Sequence, residues 1–156
     1  MKISLFLKKL SIPLAIIFLI ALFLRVINLA SVPVGLHGDE ASIGYNAYSL
    51  LKTGKDQDGH FLPLSFDQFG DFRAAGYGYL DIPFVALFGL NAFAVRLPAA
   101  LFGSLTIIIF YFFLLELFEN KSIALIGSFL LAILPWHINI SRASSEGVIS
   151  SFFVLL

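Results

Sequence analysis

Cysteine is absent from the 156 residues, which excludes disulfides, thiolate nucleophiles and cysteine-bound metals and leaves the redox compartment open. Charge is scarce as well: Asp, Glu, Lys and Arg make up 13% of the chain, against about 25% in an average soluble domain. The ten basic and ten acidic residues cancel, so no basic field points to nucleic acid and no acidic tail is visible. Internal repeats and low-complexity tracts are missing too. What fills the space is apolar. Hydrophobic residues reach 59%, mean hydropathy is +0.94, and there are 18 phenylalanines. A surface that apolar is solvated by lipid rather than water, and the chain reads as an integral membrane protein.

The charge-poor runs set out an all-α, polytopic transmembrane bundle. Residues 10–30 form a first span with Arg25 near its far end, where it could snorkel to the interface. A signal peptide is the rival reading, but no small-residue cleavage motif follows. Lys2, Lys8 and Lys9 favour a cytoplasmic N-terminus. Residues 97–115 and 122–140 form a tight helical hairpin, turning at Glu116–Lys121. Residues 147–156 are half a span, about ten residues where about 20 are needed, and read as the opening of a fourth helix in a longer protein. Residues 82–95 are uncharged but too short to cross, and read as an interfacial or re-entrant helix. On that reading residues 31–92 form an outer loop on the non-cytoplasmic face. It holds the acids Asp39, Glu40, Asp56, Asp58, Asp67, Asp71 and Asp81 and only three bases, Lys52, Lys55 and Arg73.

Chemistry therefore concentrates on one face. His37-Gly38-Asp39-Glu40 lies just beyond the first span, and Ala41, Gly44, Ala47, Tyr48 and Leu51 follow at helical spacing up to Gly54, a natural stop. Two acids at the positive end of a surface helix are ordinary caps. Held at a membrane exit, they could also meet a lipid-borne substrate. His37 and His60 sit among these acids as candidate ligands for a divalent metal. Arg142 and Glu146 lie i, i+4 apart after the third run. Trp136 and Tyr45, Tyr48, Tyr77 and Tyr79 suit an interfacial aromatic belt. Asn139-Ile140-Ser141 fits the glycosylation pattern by chance, because it hugs a helix end.

The run from Arg25 through Pro33 to Asp39-Glu40, then Tyr48-Ser-Leu-Leu-Lys-Thr-Gly54, resembles the opening of the GT-C glycosyltransferases. The nearest group is glycosyltransferase family 39-like, which contains protein O-mannosyltransferases and lipid A aminoarabinose transferases. Phe61-Leu-Pro-Leu64, Gly70-Asp-Phe-Arg73, Tyr77-Gly-Tyr-Leu80, Leu87-Phe-Gly-Leu90, Val95-Arg-Leu-Pro98 and Ser141-Arg142 with Glu146 continue the likeness in order. The resemblance implies transfer of a hexose-like sugar from a polyprenyl-phosphate carrier to an extracytoplasmic protein, lipid or glycan, with inversion at the anomeric carbon. It implies Asp39, with Glu40 beside it, as the catalytic acid group. A base is needed to deprotonate the attacking hydroxyl. Arg73-Ala74-Ala75 stands where the family commonly has Lys-Pro-Pro, and the arginine keeps a charge for the donor phosphate. Tyr77, Arg142 and Glu146 join it as substrate-binding candidates. Metal use in the family is mixed, so a divalent metal stays open. A lipid-linked substrate carrier would need acids inside the spans, where there are almost none. A non-catalytic scaffold or inactive N-terminal fragment remains the other alternative.

Overall fold

The computed structural model describes residues 11–68 and 70–156. The N-terminal lysines and the first residue of the first run lie outside them. Pro13 in the first turn of α1 (Ile12–Val26) has no amide hydrogen to lose there and a φ already suited to a helix, and the helix stops before Asn28, whose φ is 51°. Residues 27–30, expected to continue the first span, turn back instead. Two surface helices, α2 (Gly38–Thr53) and α3 (Gly76–Phe88), flank an antiparallel hairpin of β1 (Ser65–Gln68) and β2 (Asp71–Ala74). The outer segment is thus not purely helical. The hairpin forms where Gly70, at a φ of 84°, turns the chain.

The chain then runs through α4 (Ala92–Phe118), α5 (Lys121–Ile133), α6 (Pro135–Ser141) and α7 (Glu146–Leu155). Residues 82–95 are not one interfacial segment. Gly89 ends α3, and Asn91 caps α4 by accepting a hydrogen bond from the Ala94 amide at 3.0 Å. The last residues of that run therefore belong to the long span, and Arg96 lies inside it rather than at its edge. At 27 residues α4 is the one described helix long and apolar enough to cross a membrane, about 40 Å at the helical rise. The run expected over 122–140 is bent by 59° between α5 and α6, because Pro135 supplies no amide hydrogen to the α5 ladder. That pair counts as a second candidate span if taken together, while α1 and α7 are shorter apolar helices.

Buried contacts fix how these helices run. Leu14 packs with Tyr111, Leu114 and Ala124, and Ile17 and Ala21 pack with Ile107 and Ala132, while Leu29 meets Leu97 and Ala100. So α1 and α5 run together and α4 runs against both. Fully buried alanines at 21, 124 and 132 let backbones approach closely, as expected where lipid supplies no hydrophobic drive between helices. Opposite them Ile16, Leu19, Phe23, Ile126 and Leu130 are exposed, as a lipid-facing surface requires. The end of the bundle holding Leu29, Leu97 and the α6–α7 turn also carries α2, α3 and the hairpin.

Candidate active site

Helix α2 begins with a reciprocal cap. The His37 Nδ1 accepts from the Asp39 amide at 3.4 Å, and the Glu40 Oε2 accepts from the His37 amide at 3.0 Å. This arrangement sends the two acids in different directions. Glu40 turns inward and is almost fully buried. Asp39 stays a third exposed and meets the hairpin, accepting a 2.7 Å hydrogen bond from the Gln68 Nε2 on Oδ1 and a 2.9 Å ion pair with the Arg73 Nη1 on Oδ2.

The hairpin presents both partners from one face. Phe66 lies directly opposite Arg73 in the register, and Gln68 is two residues on from Phe66, so all three side chains point the same way. Phe66 anchors that face, packed with Leu50 and Ala75 and lying over Gly78, where a Cβ would come within 2.5 Å of its ring. The departure from Lys-Pro-Pro also has a local reason. The Ala75 amide donates to the Leu64 carbonyl at 3.0 Å, and a proline there would lose that bond.

Glu40 is not available to a substrate. Its oxygens receive the Arg96 Nε and Nη2, both at 2.9 Å, together with the amides of His37 and Ser144. Burial alone would push its carboxyl up, but the Arg96 bonds and the two amides outweigh that and hold it below the usual carboxylate value. Arg96 in turn gives its remaining donors to the carbonyls of Leu29, Pro33 and Gly35, so all five N–H groups are used. Glu40, expected beside Asp39 in the catalytic acid group, ties α2 to α4 and to the Ser144 turn in this structure.

Four other singled-out residues are engaged inside the protein. Tyr77 is not poised to stack on a sugar. It is buried, and its hydroxyl donates to the Val95 carbonyl at 3.0 Å and accepts from the Ala99 amide at 3.2 Å, bracing α4 beside Pro98. Arg142 does not pair with Glu146, because it caps the end of α6 while Glu146 opens α7. Its Nη1 and Nη2 instead hold the carbonyls of Leu24, Ile27 and Val32, capping the end of α1. Glu146 is half-buried at the first residue of α7 and makes no ion pair among the described residues. Arg25 does not snorkel. It is fully buried and donates to the carbonyls of Ala21 and Ala132 and to the His137 Nδ1 at 2.7 Å. Asp81, grouped with the outer acids, is enclosed in α3 with neither oxygen partnered among the described residues, and burial pushes its carboxyl up to about 8.

The two histidines stand apart. His37 is 3.7 Å from an Asp39 oxygen, and His60 is 3.1 Å from Asp56, whose carboxyl closes its own loop through the amides of Asp58 and His60. Among the described residues no three His, Asp or Glu side chains gather as a metal site. Of the expected belt, Tyr45, Tyr48 and Trp136 are exposed, whereas the Tyr79 hydroxyl is spent on the Pro63 carbonyl.

At this end of the bundle one partly exposed carboxylate, Asp39, and one partly exposed guanidinium, Arg73, stand in contact. A family model described as dolichyl-phosphate-mannose-protein mannosyltransferase matches residues 15–156. The chain belongs to that family. No curated protein and no solved structure matches it. Members of the family are membrane glycosyltransferases that transfer mannose from dolichyl-phosphate-mannose to protein acceptors. The match spans every residue of the cluster just described. Arg96, Gln68 and Ser144 were not singled out from the sequence. An arginine opening an apolar helix was the one available signal, and it pointed to Arg96.

Proposed function

We propose that Asp39 is the general base of this mannosyl transfer and that Arg73 holds the donor phosphate beside it. The observation that carries this reading is the Asp39–Arg73 contact itself. It joins an acid and a base that are both partly exposed, while Glu40, Arg96, Arg25 and Arg142 are occupied inside the protein. The acceptor hydroxyl gives its proton to Asp39 as its oxygen bonds to the anomeric carbon. The bond from that carbon to the phosphate oxygen breaks with its electron pair going to the leaving polyprenyl phosphate, whose charge Arg73 meets. Attack opposite the leaving group inverts the anomeric centre. Among the described residues Arg73 pairs with Asp39 through Nη1 and its Nε is buried without a partner, so Nη2 is the donor that remains for a phosphate.

Loss of a charge-assisted phosphate contact costs about 1.5–3 kcal/mol, or roughly ten- to a hundred-fold in affinity. Arg73→Ala is therefore expected to raise the KM for the lipid-phosphate sugar by that factor without altering membrane insertion. An unchanged donor KM would leave Arg73 as a partner of Asp39 alone.

The reading also puts this end of the bundle on the non-cytoplasmic face of a multi-pass membrane protein. The N-terminal lysines support that orientation. With no native cysteine to interfere, single cysteines at Asp58, Gly147 and Glu119 test it. An impermeant thiol reagent on intact cells is expected to label the first two and spare the third. Labelling of Glu119→Cys with protection of Asp58→Cys reverses the orientation.

A further inference from the structure

Gln68 is uncharged, sits in a four-residue strand and carries no sequence signal, yet it is nearly buried and makes the shortest polar contact to Asp39, 2.7 Å from Nε2 to Oδ1. The geometry points to Gln68 as the positioning residue for the base, holding one oxygen of Asp39 so that the other is presented to the acceptor. The inference rests on Asp39 acting as base.

Two contacts on Asp39 come from the hairpin, but they are not equivalent. Arg73 is 40% exposed at its side chain and retains unused donors, so an arriving phosphate can compete for it. Gln68 cannot be drawn away in the same manner. It lies on the inward face beside Phe66, and that ring is wedged over Gly78 at the start of α3. Across the cap, His37 is the one other described side chain with a recorded polar contact to the carboxylate, exposed and 3.7 Å from Oδ2. With Oδ1 fixed by a buried amide, the carboxyl plane stays set while Oδ2 exchanges from Arg73 to the acceptor hydroxyl. An amide suits this task where a second charge would not. It donates to a carboxylate without offering it a proton or competing for the phosphate.

Two near-isosteric changes test this in the intact protein in native membranes, with dolichyl-phosphate-mannose as donor and a peptide acceptor. Gln68→Met keeps volume and removes the donor, and Gln68→Glu keeps shape and polarity but sets a second acceptor against Asp39. Both are expected to lower kcat about tenfold or more, with the donor KM within about twofold of wild type. This separates Gln68 from Arg73, whose loss moves KM. A donor KM that rises in step with the fall in kcat means the whole hairpin has shifted, and overturns the positioning role. Unchanged kcat in both variants overturns it also. Asp39→Asn run alongside keeps the two ideas apart. If Asp39→Asn is inactive while the Gln68 variants are not, only the positioning role fails. If Asp39→Asn is active, the base assignment itself fails.

Discussion

Asp39→Asn is expected to reduce sugar transfer by about two to four orders of magnitude, the range a positioned general base supplies, while the protein still inserts. Asparagine keeps the size of the side chain and can keep an acceptor oxygen toward the Gln68 amide, but it cannot take the acceptor proton. It also loses the charge that pairs with Arg73. That pair is partly exposed, so its contribution to stability is small, about 0–1 kcal/mol at such sites, and folding is not expected to suffer. The check is a transfer assay on membranes matched for inserted protein. Normal turnover by a properly inserted variant would remove Asp39 as base, and the half-buried Glu146 would become the acid to test next.

The opposite pattern is expected at Arg96. Here the neighbouring acid, Glu40, is buried, and every N–H of the guanidinium has a partner. Removing one member of a buried pair leaves the other charged and unsatisfied, at about 3–5 kcal/mol, against a total stability that is typically about 5–15 kcal/mol. Arg96→Met should therefore lower the Tm in detergent sharply and reduce the yield of inserted protein. Arg96→Lys should rescue little, because an ammonium has no planar fork to span Glu40 and three carbonyls at once. A Met variant as stable as wild type would show that α2 is held to α4 by its apolar contacts, chiefly Gly44 against Val95, where a Cβ would lie 2.5 Å from the valine methyl.

How much of this was legible beforehand differed by the kind of signal. Apolar runs marked α4 and α5 well, because lipid demands them, but they could not show that Pro135 bends the second run or that Asn91 starts α4 early. Those outcomes turn on a missing amide hydrogen and one side-chain cap. The start of α2 was legible from His37, Asp39 and Glu40, and with it the placement of Asp39 beyond the first helix. What no local pattern could tell was which of two adjacent acids faces outward. That is decided by Arg96, 56 residues away. The backbone partners of Tyr77 and Arg142 were not legible for a related reason. Motif likeness places a residue along the chain without saying what its side chain touches, and both touch backbone groups exposed by a proline or a helix end. The hairpin, four residues per strand, is too short to show alternation, so Gln68 was invisible.

The buried Arg25 has a consequence for how the protein is made. Two of its partners, Ala132 and His137, lie 107 and 112 residues further along the chain. At about 5–20 residues per second, they follow the first helix out of the ribosome by roughly five to twenty seconds. Through that interval the only one of these three partners already made is the carbonyl of Ala21, one turn back, and Arg25 stands in the last turn of α1, where a long cationic side chain can reach the membrane interface. The first helix is thus synthesised as an incomplete membrane element. Its buried contacts are completed only when the bent α5–α6 pair brings the Ala132 carbonyl and the His137 ring to the guanidinium, so the packing of α1 is finished late in translation.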